Sequence, residues 1–290
     1  MMRQFIQRLL AMAALGLLAG QAQALGVRIA KDVVYGTAGG VKLRLDVYQP
    51  LGATGRRPGV VLVHGGGWMG GDKSAYAKMG QELAGQGYVA FSVNYRLAPG
   101  FHYPAQLDDV QRAVRWIRAH AADYDLDPER LGALGDSAGG HLVSFLGTRD
   151  TRDNSDPELS RYSSRVCCVV DFYGPEDFTL PSSAAVNPSA LQILTLFFGK
   201  TREQAPQLYR DGSPIVFVDR RSAPFLILHG TKDNLVPIEQ SRRMRDALQK
   251  VGVEATFVAL ENDGHGFARP ENQQKAHSLV EAFLARHLNP

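Results

Sequence analysis

The chain has 290 residues, 44% of them hydrophobic and 21% charged, which excludes a disordered or fibrous protein and predicts one large α/β domain. Its formal net charge is +3. Loss of the segment carrying Arg3 and Arg8 would bring that to about +1, so no nucleic acid partner is expected. The two cysteines are the adjacent Cys167 and Cys168. They leave no disulfide framework, and on a strand they would point to opposite faces as buried structural thiols.

Met1 to Arg8 is a basic start, Leu9 to Gly20 an apolar stretch and Ala22-Gln23-Ala24 a small-residue cleavage site. This predicts a signal peptide over residues 1–24 and an exported protein, periplasmic or secreted, whose mature domain covers residues 25–290. An uncleaved anchor is the alternative. Its apolar run falls short of the roughly 20 residues that a spanning helix needs, so no stable membrane association is expected.

After the leader, Val33-Val34-Tyr35 and the alternating Val41, Leu43, Leu45 and Val47 flank Ala38-Gly39-Gly40, which predicts an antiparallel hairpin at one edge of a sheet. Pro58 to Val63 is an unbroken apolar run, as expected of a central strand covered on both faces. A helix from Ser74 to Gln86 and a strand from Tyr88 to Val93 follow. Pro104 then opens a helix with Leu107, Val110, Val114 and Ile117 on one stripe. Further strands are predicted at Leu131–Leu134, Val166–Phe172, Pro224–His229 and Ala255–Leu260, and helices at Ile238–Val251 and Gln273–Leu288. Strands alternating with helices imply a mostly parallel central sheet with helices on both faces, its ligand site at the carboxyl ends of the strands. Residues 179–221 interrupt the alternation. They read either as a small cap insertion walling a pocket or as an ordinary helix packed on the sheet.

Gly135-Asp136-Ser137-Ala138-Gly139 is a G-x-S-x-G sequence between a strand and an apolar helical face (Leu142, Val143, Phe145, Leu146). In that setting the glycines let two backbone segments pass closely while the serine is held with its hydroxyl clear of the sheet. A serine nucleophile needs a base and an orienting carboxylate, which in this setting follow in the order Ser, Asp or Glu, His. Downstream of Ser137, His141, His229, His277 and His287 fall on predicted helices or at a strand end. His265 lies between glycines in the loop after the last strand and is the candidate base. Asp233, in the tight loop after the Pro224–His229 strand, is the candidate orienting acid, with Asp171 in reserve; Asp263 reads as a turn residue. His64-Gly65-Gly66-Gly67-Trp68 follows the central strand, so the N–H groups of Gly66, Gly67 and Ala138 are candidates for an oxyanion hole and Trp68 for substrate contact. There is no G-x-x-x-x-G-K-[ST] to make this loop a phosphate cradle, and no H-E-x-x-H to suggest a metal.

With these residues in view, the sequence resembles the α/β-hydrolase superfamily, and within it the hormone-sensitive-lipase-like serine esterases and their BD-FAE-like relatives, bifunctional feruloyl and acetyl-xylan esterases. The resemblance spans essentially the whole mature chain. It rests on His64–Trp68, Gly71-Asp72-Lys73, Asn94–Pro99, Asp127–Arg130, Gly135–His141, Asp233 and Gly264–Phe267. It implies an α/β-hydrolase fold and a carboxylic ester hydrolase working through an acyl-enzyme, with Ser137 attacking, His265 as base then acid and Asp233 holding the imidazole. No organic cofactor or metal is implied. The absence of a long helical cap after the leader points to the smaller, more open pocket of the BD-FAE-like branch. Expected substrates are short-chain esters, small or linked to polysaccharide, such as acetyl or feruloyl groups. Two alternatives keep the fold: an arylformamidase-type amide hydrolase, and a binding protein without the chemistry.

Overall fold

The computed structural model describes residues 26–52, 55–180 and 187–288; the expected signal peptide, residues 1–24, lies outside them. Eight strands form one sheet: β1 (Val27–Ala38), β2 (Val41–Pro50), β3 (Arg57–Val63), β4 (Val89–Val93), β5 (Leu126–Asp136), β6 (Val169–Phe172), β7 (Phe225–Gly230) and β8 (Ala255–Leu260). Their spatial order is β1-β2-β4-β3-β5-β6-β7-β8. The β1–β2 and β2–β4 pairs are antiparallel and the remaining pairs parallel. The predicted edge hairpin and parallel centre are both present.

The unbroken apolar run of β3 is explained by what covers it. Val61 and Val63 enter the core on one face of the sheet, and Val60 and Leu62 the core on the other, all fully buried. Period-two alternation thus serves two apolar layers instead of one apolar and one wet face. The first layer takes side chains from α2 (Ala105–Ala119), α3 (Ala138–Thr148) and α6 (Glu239–Lys250); the second takes them from α1 (Ala77–Gly85) and α7 (Pro270–Leu288). In α2 the buried stripe is the predicted Leu107, Val110, Val114 and Ile117.

Three details differ from expectation. The helix expected from Ser74 begins as a single 3-10 turn, Lys73–Tyr76, whose start is capped by the Asp72 side chain accepting from the Ser74 N–H at 2.9 Å. The closing helix α7 starts at Pro270 rather than Gln273, because proline fits the first helical position. Strand β6 begins only at Val169, so Cys167 and Cys168 precede it and do not divide between the faces. Both pack on the same core: Cys168 is fully buried, while Cys167 is only half-buried with its Sγ 2.7 Å from the Glu129 carbonyl.

Within residues 179–221, those described form α4 (Pro188–Phe198), α5 (Pro206–Asp211) and a 3-10 turn at Pro214–Phe217. Asn187 caps α4 by accepting from the Ser189 N–H, and Gly199 ends it in the left-handed conformation at φ 72°. Phe197 and Phe198, at its carboxyl end, are buried in the first core layer, whereas Leu191 on its first half is exposed.

Candidate active site

Strand β5 stops at Asp136 and α3 starts at Ala138, so Ser137 alone makes the turn, at φ 52° and ψ −118°. A positive φ is strained for any residue with a Cβ, and here the surroundings impose it. The Ser137 N–H is held by the Phe172 carbonyl at 2.8 Å and its own carbonyl by the His141 N–H at 3.0 Å. The glycines are required by close approach. A Cβ on Gly135 would stand 2.5 Å from the Gly139 backbone, and one on Gly139 would stand 1.9 Å from the Val63 carbonyl oxygen. Only chain without side chains lets the elbow sit this close to β3.

The loops after β7 and β8 bring Asp233 and His265 to the same end of the sheet. Ser137 Oγ lies 2.8 Å from His265 Nε2, and His265 Nδ1 lies 2.7 Å from Asp233 Oδ2. Facing a carboxylate, Nδ1 carries the ring proton, which leaves Nε2 free to accept from the serine hydroxyl. Asp233 is wholly enclosed: its Oδ1 accepts the N–H groups of Leu235 and Val236, each at 2.9 Å, and its Oδ2 is also 3.2 Å from His229 Nε2. Burial alone would raise its pKa. Hydrogen bonds from His229, His265 and the Val236 N–H outweigh burial and hold it well below the usual carboxylate range. The structure thus brings Ser137, His265 and Asp233 into one hydrogen-bonded chain.

The other acids considered are engaged elsewhere. Asp171 points beneath the elbow, its Oδ1 accepting the Gly174 N–H at 2.8 Å. Asp263 braces its own loop, accepting from the Ala268 N–H at 3.1 Å and the Asn272 side chain at 2.7 Å, which is the turn role expected of it.

The loop after β3 arches beside the serine. Gly66 and Gly67 have φ of 111° and 60°, and a Cβ on Gly66 would stand 2.3 Å from the Gly70 carbonyl oxygen. The start of the loop is pinned to the elbow, because Asp136 Oδ1 accepts both the Gly65 N–H at 3.0 Å and the Tyr76 hydroxyl at 2.8 Å. Ala138 opens α3, where backbone N–H groups have no partner within the helix and the dipole favours negative charge. Gly66, Gly67, Trp68, Ser137 and His265 all line one cavity of about 1130 Å³. One wall is apolar, from Ala190, Leu191, Ile193 and Leu194 of α4; another is polar, with Asp177, Gln240 and Arg243. Trp68 forms part of the floor: it is 3% exposed and stacks on Phe197 at 4.1 Å between ring centroids.

Four residues here escape sequence reasoning. Tyr173, strained at φ 46°, packs its ring 4.6 Å from that of His265. His229 supports Asp233, its Nδ1 facing the Ser241 hydroxyl at 2.7 Å. Asp136 ties the loop after β3 to the elbow, and His141 meets Trp68. Asp136 lies within the motif beside the serine and His141 lies two residues after the motif, and that proximity is the signal that marks them. Tyr173 and His229 carry no such signal. Among the described residues no group of three His, Cys, Asp or Glu is placed to hold a metal ion, and no helix is long and apolar enough to cross a membrane.

The family model BD-FAE matches residues 45–248, a stretch running from β2 through the elbow to α6. The chain belongs to the BD-FAE family. Among curated proteins it is 33% identical over 261 residues to a probable carboxylic ester hydrolase, LipM, of Mycobacterium tuberculosis, a match covering 88% of this chain and 60% of LipM. This BD-FAE member therefore spans little more than half the length of such relatives. Among solved structures it matches a truncated carbohydrate esterase from gut microbiota at 28% identity and a TM-score of 0.77, covering 89% of this chain and 97% of that one. A butyrate-bound esterase, Est2 of Thermogutta terrifontis, matches at 27% identity and a TM-score of 0.76, covering 93% and 97%. These neighbours and the sheet order establish the α/β-hydrolase fold.

Proposed function

We propose that the protein is a carboxylic ester hydrolase that works through an acyl-enzyme, with Ser137 as nucleophile, His265 as base and then acid, and Asp233 orienting the imidazole. The observation that carries this reading is the unbroken chain from Ser137 Oγ to His265 at 2.8 Å and from His265 to Asp233 at 2.7 Å. Ser137 Oγ attacks the ester carbonyl while its proton passes to His265 Nε2. The N–H groups of Gly66, Gly67 and Ala138 stabilise the oxyanion of the tetrahedral intermediate, and the buried Asp233 carboxylate stabilises the imidazolium. Collapse of the intermediate expels the alcohol, which takes the proton from His265. Water, deprotonated by His265, then attacks the acyl-enzyme and releases the acid.

We further propose short-chain esters as substrates, including acetyl or feruloyl groups on polysaccharide. Membership of the BD-FAE family and likeness to a carbohydrate esterase and a butyrate-bound esterase support this. The residue 179–221 segment acts in this reading as a small cap supplying the apolar wall. Export after cleavage near Ala24 accords with a polymeric substrate outside the cell, and N-terminal sequencing of the exported protein tests it: an intact Met1 start in the membrane fraction would overturn it.

The deciding experiment is Ser137→Ala. Hydrolysis of p-nitrophenyl acetate and labelling by an organophosphonate are both lost in the variant; turnover that persists refutes the mechanism. Acetylated xylan, methyl ferulate and N-formylkynurenine, assayed side by side, set ester against amide. Faster formamide turnover would move the protein to the amide hydrolases.

A further inference from the structure

The end of β6 carries two carboxyl groups that the steps above do not use. Asp171 and Glu176 are both fully buried. One oxygen of each has a conventional partner: Asp171 Oδ1 accepts the Gly174 N–H at 2.8 Å, and Glu176 Oε1 accepts the Ser144 hydroxyl at 2.7 Å. The other oxygens, Asp171 Oδ2 and Glu176 Oε2, are buried without any donor among the described residues. The two carboxyl groups lie close enough for each to perturb the other's ionisation. Two buried carboxylates offer only acceptors and repel each other, so these orphaned oxygens are accommodated when one group keeps its proton and can donate it to the other. Burial, then the charge of Asp171, pushes Glu176 well above the ordinary carboxyl range. Burial raises Asp171 as well, but the Gly174 N–H and the charge of His229 favour its ionised form. The proton therefore sits on Glu176, and Asp171 is the anion.

The placement of the pair relates it to the elbow. Asp171 Oδ1 lies 2.2 Å from where a Cβ on Gly140 would stand, so the carboxylate is set against the first turn of α3, where the helix dipole favours negative charge. Ser144, which bonds Glu176, lies four residues further on and therefore on the same face of α3. The pair spans two consecutive turns of the helix that begins directly after Ser137. From the other side, the Glu176 N–H is held by Gln240 Oε1 of α6 at 2.8 Å.

We propose that Asp171 and Glu176 are positioning residues that share one proton, and that the pair holds α3, and with it Ser137 and the Ala138 N–H, against the loop carrying Tyr173. The proposal rests on the esterase reading for its consequence but not for its chemistry. The ionisable groups facing the pair are Asp136 at the end of β5, Tyr173 and Asp177 on the adjoining loop, and His229 on β7. All but His229 are acidic. Release of the Glu176 proton to solvent at alkaline pH places a second anion among them, and the hydrogen bond between the two carboxyls is lost with that proton. Ser–His–Asp chemistry by itself rises with pH to a plateau; the pair adds an alkaline loss of activity.

Infrared spectroscopy and a kcat profile against pH, both on the full chain, test this. The parent protein shows a carboxylic acid carbonyl band at neutral pH, and kcat falls reversibly as that band disappears under alkali. Glu176→Gln, whose amide N–H replaces the acid O–H toward Asp171, lacks the band. Its kcat, scaled to its own neutral value, shows no alkaline loss. Absence of the band in the parent protein overturns the proposal, as does an unchanged alkaline loss in the variant. If Glu176→Gln does not fold, Asp171→Asn takes its place, with its amide donating to Glu176, and the same two readouts decide. The band does not depend on ester turnover: a band without esterase activity would sink the proposed function and leave the pair standing.

Discussion

The indole N–H of Trp68 donates to Nδ1 of His141 at 3.2 Å, while His141 Nε2 donates to the Gly212 carbonyl at 2.8 Å. One imidazole thus joins the loop after β3, the helix after Ser137 and the segment leading from α5. Trp68→Phe keeps a ring on Phe197 but removes the donor and leaves a buried acceptor unpaired. The expected cost is about 1–3 kcal/mol of stability. Because Trp68 directly follows Gly66 and Gly67, kcat on p-nitrophenyl acetate is expected to fall more than KM rises. Urea melts and steady-state kinetics on the same preparation check both; a change in KM alone would show that the bond does not position the loop.

His141 also sets a pH limit. Burial lowers its pKa to about 4, with the Gly212 carbonyl acting weakly the other way. The folded state therefore keeps the imidazole neutral in a range where the unfolded chain already binds a proton. Stability is fully present above the ordinary histidine pKa near 6.5, falls as pH drops from there, and levels off below about 4. The full loss is about 3 kcal/mol. Urea unfolding at neutral pH and at pH near 4 should show this loss in the parent protein. His141→Gln should show a smaller one; equal slopes in both proteins would remove His141 from the account. Asp233, held below the usual range, gives a further loss at lower pH, as protons enter a carboxyl that is ionised in the fold.

Asp233→Asn tests the orienting role separately from nucleophilicity. An amide that donates to Nδ1 would hold the wrong tautomer of His265, with its proton on the nitrogen facing Ser137. A fall in kcat on the order of 10³- to 10⁴-fold is expected, with KM little changed. Phosphonate labelling of Ser137 should slow in parallel. Labelling at the parental rate would show that His265 is oriented by something other than Asp233.

The elements that place the chemistry were legible because each follows a local rule. The G-x-S-x-G turn and the glycine loop after β3 need glycine where backbone passes backbone, and Gly266, after His265, takes a φ of 95°. Val60 to Val63 reads as a covered strand because both faces are apolar. The supporting shell follows no local rule. His229 reads as the last residue of a strand, and only folding sets its Nε2 3.2 Å from Asp233 Oδ2. Asp171 reads as an acid at a strand end, held in reserve behind Asp233 in the loop after the next strand. Which of the two meets His265 is decided by loop geometry after β6 and β7, since Gly174 turns the first loop back under α3. The early end of the expected Val166–Phe172 strand has the same origin: apolar content marks a buried segment but not where pairing starts.

Acyl preference should be set where α4 meets the glycine loop. Ile193 Cγ2 lies 3.4 Å from where a Cβ on Gly67 would stand, and Ile193, Leu191 and Leu194 form the apolar wall of the cavity. In the proposed mechanism an acyl chain attached to Ser137, with its oxyanion toward Gly67, would run against this wall. Each methylene it buries contributes about 0.8 kcal/mol, or roughly fourfold in kcat/KM. Ile193→Ala removes the methyl groups nearest the glycine loop, and its optimum across p-nitrophenyl esters should shift toward longer chains. Short esters should lose packing, with kcat/KM for the acetyl ester falling as that for longer esters rises. A uniform fall across the series would mean that Ile193 only supports the fold, and an unchanged profile would place the acyl group against the polar wall of Asp177, Gln240 and Arg243.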